Sequence, residues 1–213
     1  MILADAPASY PVIHREERFR GGVIRVRTDA VRMPSGSTVH RDVVVHPGAV
    51  AVIALDEQER VLLVQQYRHC PGRLLWEPPA GLLDVDGEPP HETAARELYE
   101  EAGYRAGDWA VLVDFYTSPG MSDEAMRIYL ARDLTPVVDD ERFAGEDEEA
   151  NMPVTWLPLD EVLAGVLAAR LHNPATVAGV LAAVAARATG YSGLRPVDAP
   201  WSERPAGSPG QVG

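Results

Sequence analysis

Five glutamates crowd the stretch GLLDVDGEPPHETAARELYEEAGY, residues 81–104: Glu88, Glu92, Glu97, Glu100 and Glu101. From His91 to Gly103 the composition is that of a short helix, with Pro89-Pro90 at its start and a glycine at its stop. On such a helix Glu97 and Glu101 are i,i+4 neighbours on one face, and Glu100 stands i+3 from Glu97. Like charges at that spacing repel by roughly a few tenths of a kcal/mol per pair. A carboxylate cluster on a rigid, packed helix suits hard cations such as Mg²⁺, which take oxygen ligands. Bound cations in turn let an acidic protein accept an anionic substrate. Arg96 lies four before Glu100 and can pair with it, while Ala94, Ala95, Leu98 and Ala102 are placed to pack on a sheet. Runs of the form E-x-x-E-E also occur as plain solvated faces, and composition does not separate the two.

Such a helix needs strands to carry it. GGVIRVRTDAVRM (21–33) and TVHRDVVVH (38–46) alternate β-branched residues around the turn PSGS, which predicts an antiparallel hairpin. AVAVIALD (49–56) and RVLLVQQYRH (60–69) predict a second hairpin turning at 56–59, both strands apolar enough to be covered on both faces. WAVLVDFYT (109–117), AMRIYLAR (125–132) and PVTWLPL (153–159) read as further strands. Residues 160–170 and 174–189 read as helices, the second with Asn173 as N-cap and Pro174 at its first position. Residues 1–17 read as a polar lead-in and 139–150 as an acidic loop. The order of elements predicts an α/β fold, a mixed sheet covered by helices on both faces. Three regions follow: an N-terminal antiparallel β extension over 1–47 that is a candidate dimerisation element, a main domain over 48–191, and a flexible Gly/Pro/Ser-rich tail over 192–213.

A net charge of −13 leaves no basic stripe to release counterions, which argues against nucleic acid as a partner. Cys70 is the single cysteine, so no internal disulfide forms, and no CxxC zinc pattern is present. The first residues lack the basic flank and apolar run of a signal peptide. No segment approaches the roughly 18 consecutive apolar residues of a membrane span. These features predict a cytoplasmic protein that does not use a membrane.

The stretch from Gly81 to Tyr104 resembles the Nudix box, G-x5-E-x7-R-E-U-x-E-E-x-G-U, with U a bulky apolar residue. Glu88, seven residues, and then Arg96-Glu97-Leu98-Tyr99-Glu100-Glu101-Ala102-Gly103-Tyr104 fit its second half in register. Six residues separate Gly81 from Glu88 where the box has five, and the closing position is Tyr104. The resemblance implies the Nudix α/β/α sandwich and hydrolysis of a nucleoside diphosphate linked to another moiety. It implies Glu97, Glu101 and the Ala80 carbonyl as ligands of Mg²⁺, with Mn²⁺ as a substitute. Glu100 becomes a further ligand or orienter, Arg96 a partner of the carboxylates, and Glu88 a brace for the loop; Glu92 remains a solvated first-turn acid.

LWEPPAGLLD, FYTSPGMSDE, HPGAV and QQYRH are similar to the ADP-ribose pyrophosphatase branch of that family. In that branch a proline about fifteen residues beyond the box marks ADP-sugar specificity, and Pro119 lies fifteen after Tyr104. The branch implies ADP-ribose as substrate and a homodimer joined through the N-terminal sheet. Arg68 is a candidate diphosphate contact, since a forked guanidinium matches phosphate oxygens; a solvent-facing arginine at a strand end is the alternative. Arg41 either reaches substrate across a dimer interface or faces solvent. Glu77 orients substrate or braces the loop, and Trp76 belongs to the core. In the loop GEDEEAN (145–151), Glu146, Glu148 and Glu149 are positioned to activate the attacking water, with Glu146 and Glu149 leading.

Overall fold

The computed structural model describes residues 3–138, 152–202 and 204. Strands β1 (Val12–Arg20), β2 (Arg25–Arg32) and β3 (Thr38–Val45) form an N-terminal antiparallel sheet in that order. β2 and β3 are the expected hairpin, paired from Arg25↔Val45 to Arg32↔Thr38. β1 takes up much of the expected lead-in. Its sequence VIHREERFR is polar on both faces and every residue is exposed, so no alternation of burial marks it as a strand. Backbone pairing to β2 defines it, aided by Arg15, which donates to both oxygens of Asp29 at 2.7 and 3.0 Å.

The expected second hairpin does not form. β4 (Ala49–Ala54) lies in a five-stranded sheet of order β11-β8-β9-β4-β7, parallel to β9 (Ala125–Pro136) and antiparallel to β7 (Ala80–Leu82). β5 (Arg60–Arg68) is the centre of a separate sheet, between β6 (Arg73–Glu77) and β10 (Val154–Pro158). A bridge between Leu55 and Val61 is what joins the two strands. Residues 50–55 and 61–64 are at most 1% exposed, so each run requires cover on both faces. That requirement specifies a layer, not a neighbour, and two different sheets satisfy it equally.

Helices close both faces. Ala51 and Ile53 turn toward α2 (Leu159–Leu167) and α3 (Pro174–Arg187), packing with Val162, Val180 and Ala183. Val50 and Val52 turn the other way, toward Ala94 and Leu98 of α1 (Pro90–Ala102). The result is the α/β/α sandwich expected. The Asn173 side chain caps α3 by accepting from the Thr176 N–H at 3.0 Å. Among the described residues no helix is long and apolar enough to cross a membrane.

The expected loose tail from residue 192 packs as far as Trp201. β11 (Arg195–Pro196) pairs with β8 (Tyr104–Tyr116), and Ala199 is buried. The anchor is Arg127, 2% exposed, which donates to both Asp114 oxygens at 2.8 and 2.9 Å and to the Ala199 carbonyl at 2.7 Å. Trp201 stacks 4.7 Å from its guanidinium. Composition hides this anchoring because the partners lie over seventy residues away. Arg127→Met would leave Asp114 and two carbonyls without their buried donor, although Arg195 still reaches Asp114. Such losses cost about 3 kcal/mol. In a chain of this size that lowers the thermal midpoint by roughly 6–12 °C, which calorimetry reads directly.

Candidate active site

α1 begins and ends where its punctuation places it. Pro90 opens it, and Gly103 closes it at φ +70°, a left-handed conformation that glycine adopts without strain. Ala94 and Leu98 are fully buried against the five-stranded sheet, as expected. Ala95 is exposed, and Thr93 takes the buried position instead. Thr93 belongs there because its hydroxyl donates to Glu88 Oε2 at 2.8 Å, satisfying both groups under the helix start.

Arg96 answers the electrostatic problem of the acidic face. Its Nη1 donates to Glu97 Oε1 at 2.7 Å and to Glu100 Oε2 at 2.9 Å. Its Nε and Nη2 reach the two oxygens of Glu88 at 3.2 and 3.3 Å. Burial works against the Arg96 charge, but the Glu88 hydrogen bonds and the field of Glu97 outweigh it and push its pKa up. Glu88 is correspondingly held below the usual range by its hydrogen bonds from Arg96, against its partial burial, with Thr93 assisting. Between Gly81 and Glu88 the chain makes an exposed turn at 84–87, where Gly87 adopts φ +79° and the Glu88 N–H closes onto the Val85 carbonyl. Glu88 therefore keeps its register with Arg96.

A depressed folded-state pKa stabilises the fold above the unfolded value, near 4.5, and that contribution is lost as pH falls through the folded value. Glu88→Gln is accordingly expected to be less stable than wild type at neutral pH, by about 1–2 kcal/mol. The gap between the two closes as pH drops below that range, and thermal midpoints taken from pH 7 to pH 3 show it.

Two carboxylates of one helix face come down on β7. Glu101 Oε2 accepts from the Ala80 N–H at 3.0 Å. Glu97 Oε1 lies against Gly81 so closely that a Cβ there would stand 2.0 Å away. The absence of a Cβ at Gly81 is what lets the Glu97 side chain lie where it does. Among the described residues no group of three or more His, Cys, Asp or Glu side chains stands together as a metal cage. The donors gathered at this edge are nevertheless all oxygen, two carboxylates beside the backbone of residues 80 and 81, with space that only glycine leaves. That set fits a hard cation such as Mg²⁺.

The same edge opens into a cavity of about 920 Å³, whose walls include Ala80, Gly81, Arg68, His46, Thr117 and Glu124. Arg68 lines this cavity together with Ala80 and Gly81, the backbone on which Glu101 and Glu97 lie. The Arg68 guanidinium is held by Glu77, whose side chain is 2% exposed, through contacts of 2.6–3.1 Å. Trp76 packs on the core, and its carbonyl accepts from the Thr176 hydroxyl at 2.8 Å. Pro119 sits in the turn after β8, next to the cavity residues Thr117 and Ser118. Arg41 lies on exposed β3, donates to the His40 carbonyl at 3.3 Å and does not line the cavity. Glu146, Glu148 and Glu149 lie outside the described residues.

The structure also brings in residues that local spacing did not single out. His46 N–H donates to Asp123 at 2.9 Å, and the Thr117 hydroxyl donates to Glu124 at 2.5 Å, tying the HPGAV segment to the SPGMSDE turn. Segments 77 residues apart leave no periodic signal of such a contact.

Comparison with known proteins matches the NUDIX domain over residues 45–176. The ADP-ribose pyrophosphatase of Mycobacterium tuberculosis is 48% identical over 200 residues, covering 94% of this chain and 95% of that protein. The methanol dehydrogenase activator of Bacillus methanolicus is 40% identical over 168 residues, covering 79% and 89%. The crystal structure of an ADP compounds hydrolase has the same fold, with a TM-score of 0.72 at 22% identity, covering 89% of this chain and 99% of that one. The matched span opens just before β4 and ends inside α3, taking in α1 and the strands on which it lies, and the chain belongs to the NUDIX domain family.

Proposed function

We propose that the protein hydrolyses the diphosphate of ADP-ribose to AMP and ribose 5-phosphate with Mg²⁺, Mn²⁺ serving as a substitute. The supporting observation is the pairing of Glu97 and Glu101 against Ala80 and Gly81 at the edge of a cavity that also presents Arg68. Likeness to the Mycobacterium tuberculosis ADP-ribose pyrophosphatase supports the substrate.

In this reading Glu97, Glu101 and the Ala80 carbonyl hold the divalent cation, and Glu100 orients it. When bound there, the cation offsets diphosphate charge and polarises a phosphoryl oxygen. Arg68 contacts the diphosphate and offsets charge that develops in the transition state. A glutamate of the 145–151 loop, Glu146 or Glu149, takes a proton from the attacking water. The water oxygen bonds to one phosphorus as the bridging P–O bond breaks, and the two phosphate monoesters leave. Glu77 serves the substrate site, and Pro119 shapes the turn that favours ADP-linked sugars.

The protein acts in the cytoplasm as a homodimer joined through its N-terminal sheet. The apolar side chains Tyr10, Val12, Ile13, Phe19 and Val23 are 44–55% exposed on and beside β1 and β2, and a second copy would cover them. Arg41, on the same sheet, then reaches the partner's cavity. Light scattering that gives the mass of one chain, at full activity, would remove this part of the reading.

A second reading, hydrolysis of a different nucleoside-diphosphate compound, is favoured by a relative 31% identical over 136 residues, the GDP-mannose pyrophosphatase of Cronobacter sakazakii. A panel of nucleotide sugars, dinucleotides and coenzymes assayed for nucleoside monophosphate release separates the two. Preference for ADP-ribose supports the first; preference for another compound supports the second. Absence of turnover on every compound, with binding retained, points to a sensing module.

A further inference from the structure

Glu77 is a carboxylate buried almost completely behind the cavity residue Arg68, a placement that is unfavourable unless the charge is paired and hydrogen-bonded. Its partner is Arg68, with Nε 3.0 and 3.1 Å from the two oxygens and Nη2 2.6 Å from Oε2. The register of the sheet makes this pair unusual. Glu77 stands opposite Val64, whereas Arg68 stands opposite Arg73. Arg68 therefore lies four positions along β5 from the residue that faces Glu77, about 13 Å at strand spacing.

The contact must be made lengthwise. Val64, Gln66 and Arg68 share one face of β5, and Leu75 and Glu77 share the matching face of β6. The Arg68 side chain lies back along that face instead of leaving the strand end for solvent, although 42% of it remains exposed. This carries the guanidinium from the rim of the cavity toward residue 77, three residues before Ala80. Ala80 is the backbone that Glu101 binds, and Gly81 the one that Glu97 overlies.

We propose that Glu77 does not touch substrate but is a positioning residue: it lays the Arg68 guanidinium lengthwise toward the Ala80–Gly81 edge, fixing where the diphosphate is gripped. Three contacts to one carboxylate fix both the place and the plane of the fork, which a lysine ammonium cannot reproduce. The inference rests on the reading of the cavity as a nucleoside-diphosphate site, and it gives Glu77 a role apart from both orienting substrate directly and bracing the loop.

The test uses the full chain carrying Glu77→Gln, Arg68→Lys, and both. With ADP-ribose and Mg²⁺, each single change is expected to lower kcat/KM by roughly tenfold or more, the scale of a lost charge-assisted hydrogen bond. The double variant is expected to be no worse than the poorer single, because both remove one arrangement. Wild-type kcat/KM in Glu77→Gln, or a full further loss when it is added to Arg68→Lys, overturns the proposal. A readout independent of turnover is the ¹⁵N Nε–H resonance of Arg68, assigned by its disappearance in Arg68→Lys. It should be protected from exchange in wild type and lose that protection in Glu77→Gln while the rest of the spectrum holds; undiminished protection overturns the proposal. Should Glu77→Gln fail to fold, Glu77→Asp is judged by the same two outcomes. Wild type that is inactive on ADP-ribose overturns the substrate reading alone, and the resonance then decides the role of Glu77.

Discussion

Glu101→Gln is expected to lower turnover of ADP-ribose by roughly two to three orders of magnitude, several kcal/mol of lost charge stabilisation at about tenfold per 1.4 kcal/mol. The change keeps the size of the side chain and keeps an oxygen to accept from the Ala80 N–H, so the contact at 3.0 Å survives. What disappears is the negative charge, the property that a metal ligand must supply. The thermal midpoint should therefore stay close to wild type. Comparing steady-state kcat with a melting curve on one preparation checks both halves of the expectation. Unchanged kcat would remove Glu101 from the metal site.

Gly81→Ala tests the site from the other side, through backbone geometry. The added Cβ would stand 2.0 Å from Glu97 Oε1, 2.3 Å from its Cδ and 2.5 Å from its Cγ, so the whole end of the side chain must move. Real carbon–oxygen contacts require more than 1 Å of extra separation. Misplacement on that scale costs about 100-fold in rate, with every acid still present. Arg96 also grips Glu97 Oε1 at 2.7 Å, so the displaced carboxylate pulls against a second constraint. Loss of kcat with a wild-type circular dichroism spectrum is the expected outcome. Full activity would show that Glu97 is not needed where it stands.

These two variants also show what was legible in the sequence. α1 was legible almost to the residue, because prolines, glycine and the i,i+4 spacing are local signals. Its bounds, Pro90–Ala102, differ from the expected 91–103 by one position at each end. The hairpin β2–β3 was legible for the same reason, a turn between alternating runs. The division of β4 and β5 between two sheets was not, since unbroken apolar runs carry no information about which strand lies alongside. β1 escaped notice because all of its side chains are exposed, so burial leaves no imprint on its sequence.

The site divides in the same way. Glu97, Glu100, Glu101 and Arg96 announce themselves by spacing, and the structure joins Arg96 to Glu97 and Glu100 and lays Glu101 and Glu97 on Ala80 and Gly81. The close fit of Gly81 under Glu97 joins residues sixteen apart through a turn and a helix, a relation that spacing alone does not express. The lengthwise pairing of Arg68 with Glu77 depends on the register of β5 and β6, which no periodicity specifies. Ala95 shows the converse, a residue of the right type for the core displaced by Thr93, whose hydroxyl answers Glu88.

The most direct test of the central claim is AMP release from ADP-ribose by the purified full-length chain, followed with Mg²⁺ present and again after chelation. The expected result is AMP and ribose 5-phosphate in equal amounts, turnover lost on chelation and restored by added Mg²⁺ or Mn²⁺. Turnover that survives complete chelation, or absence of AMP release at saturating Mg²⁺ from a folded protein, would contradict it.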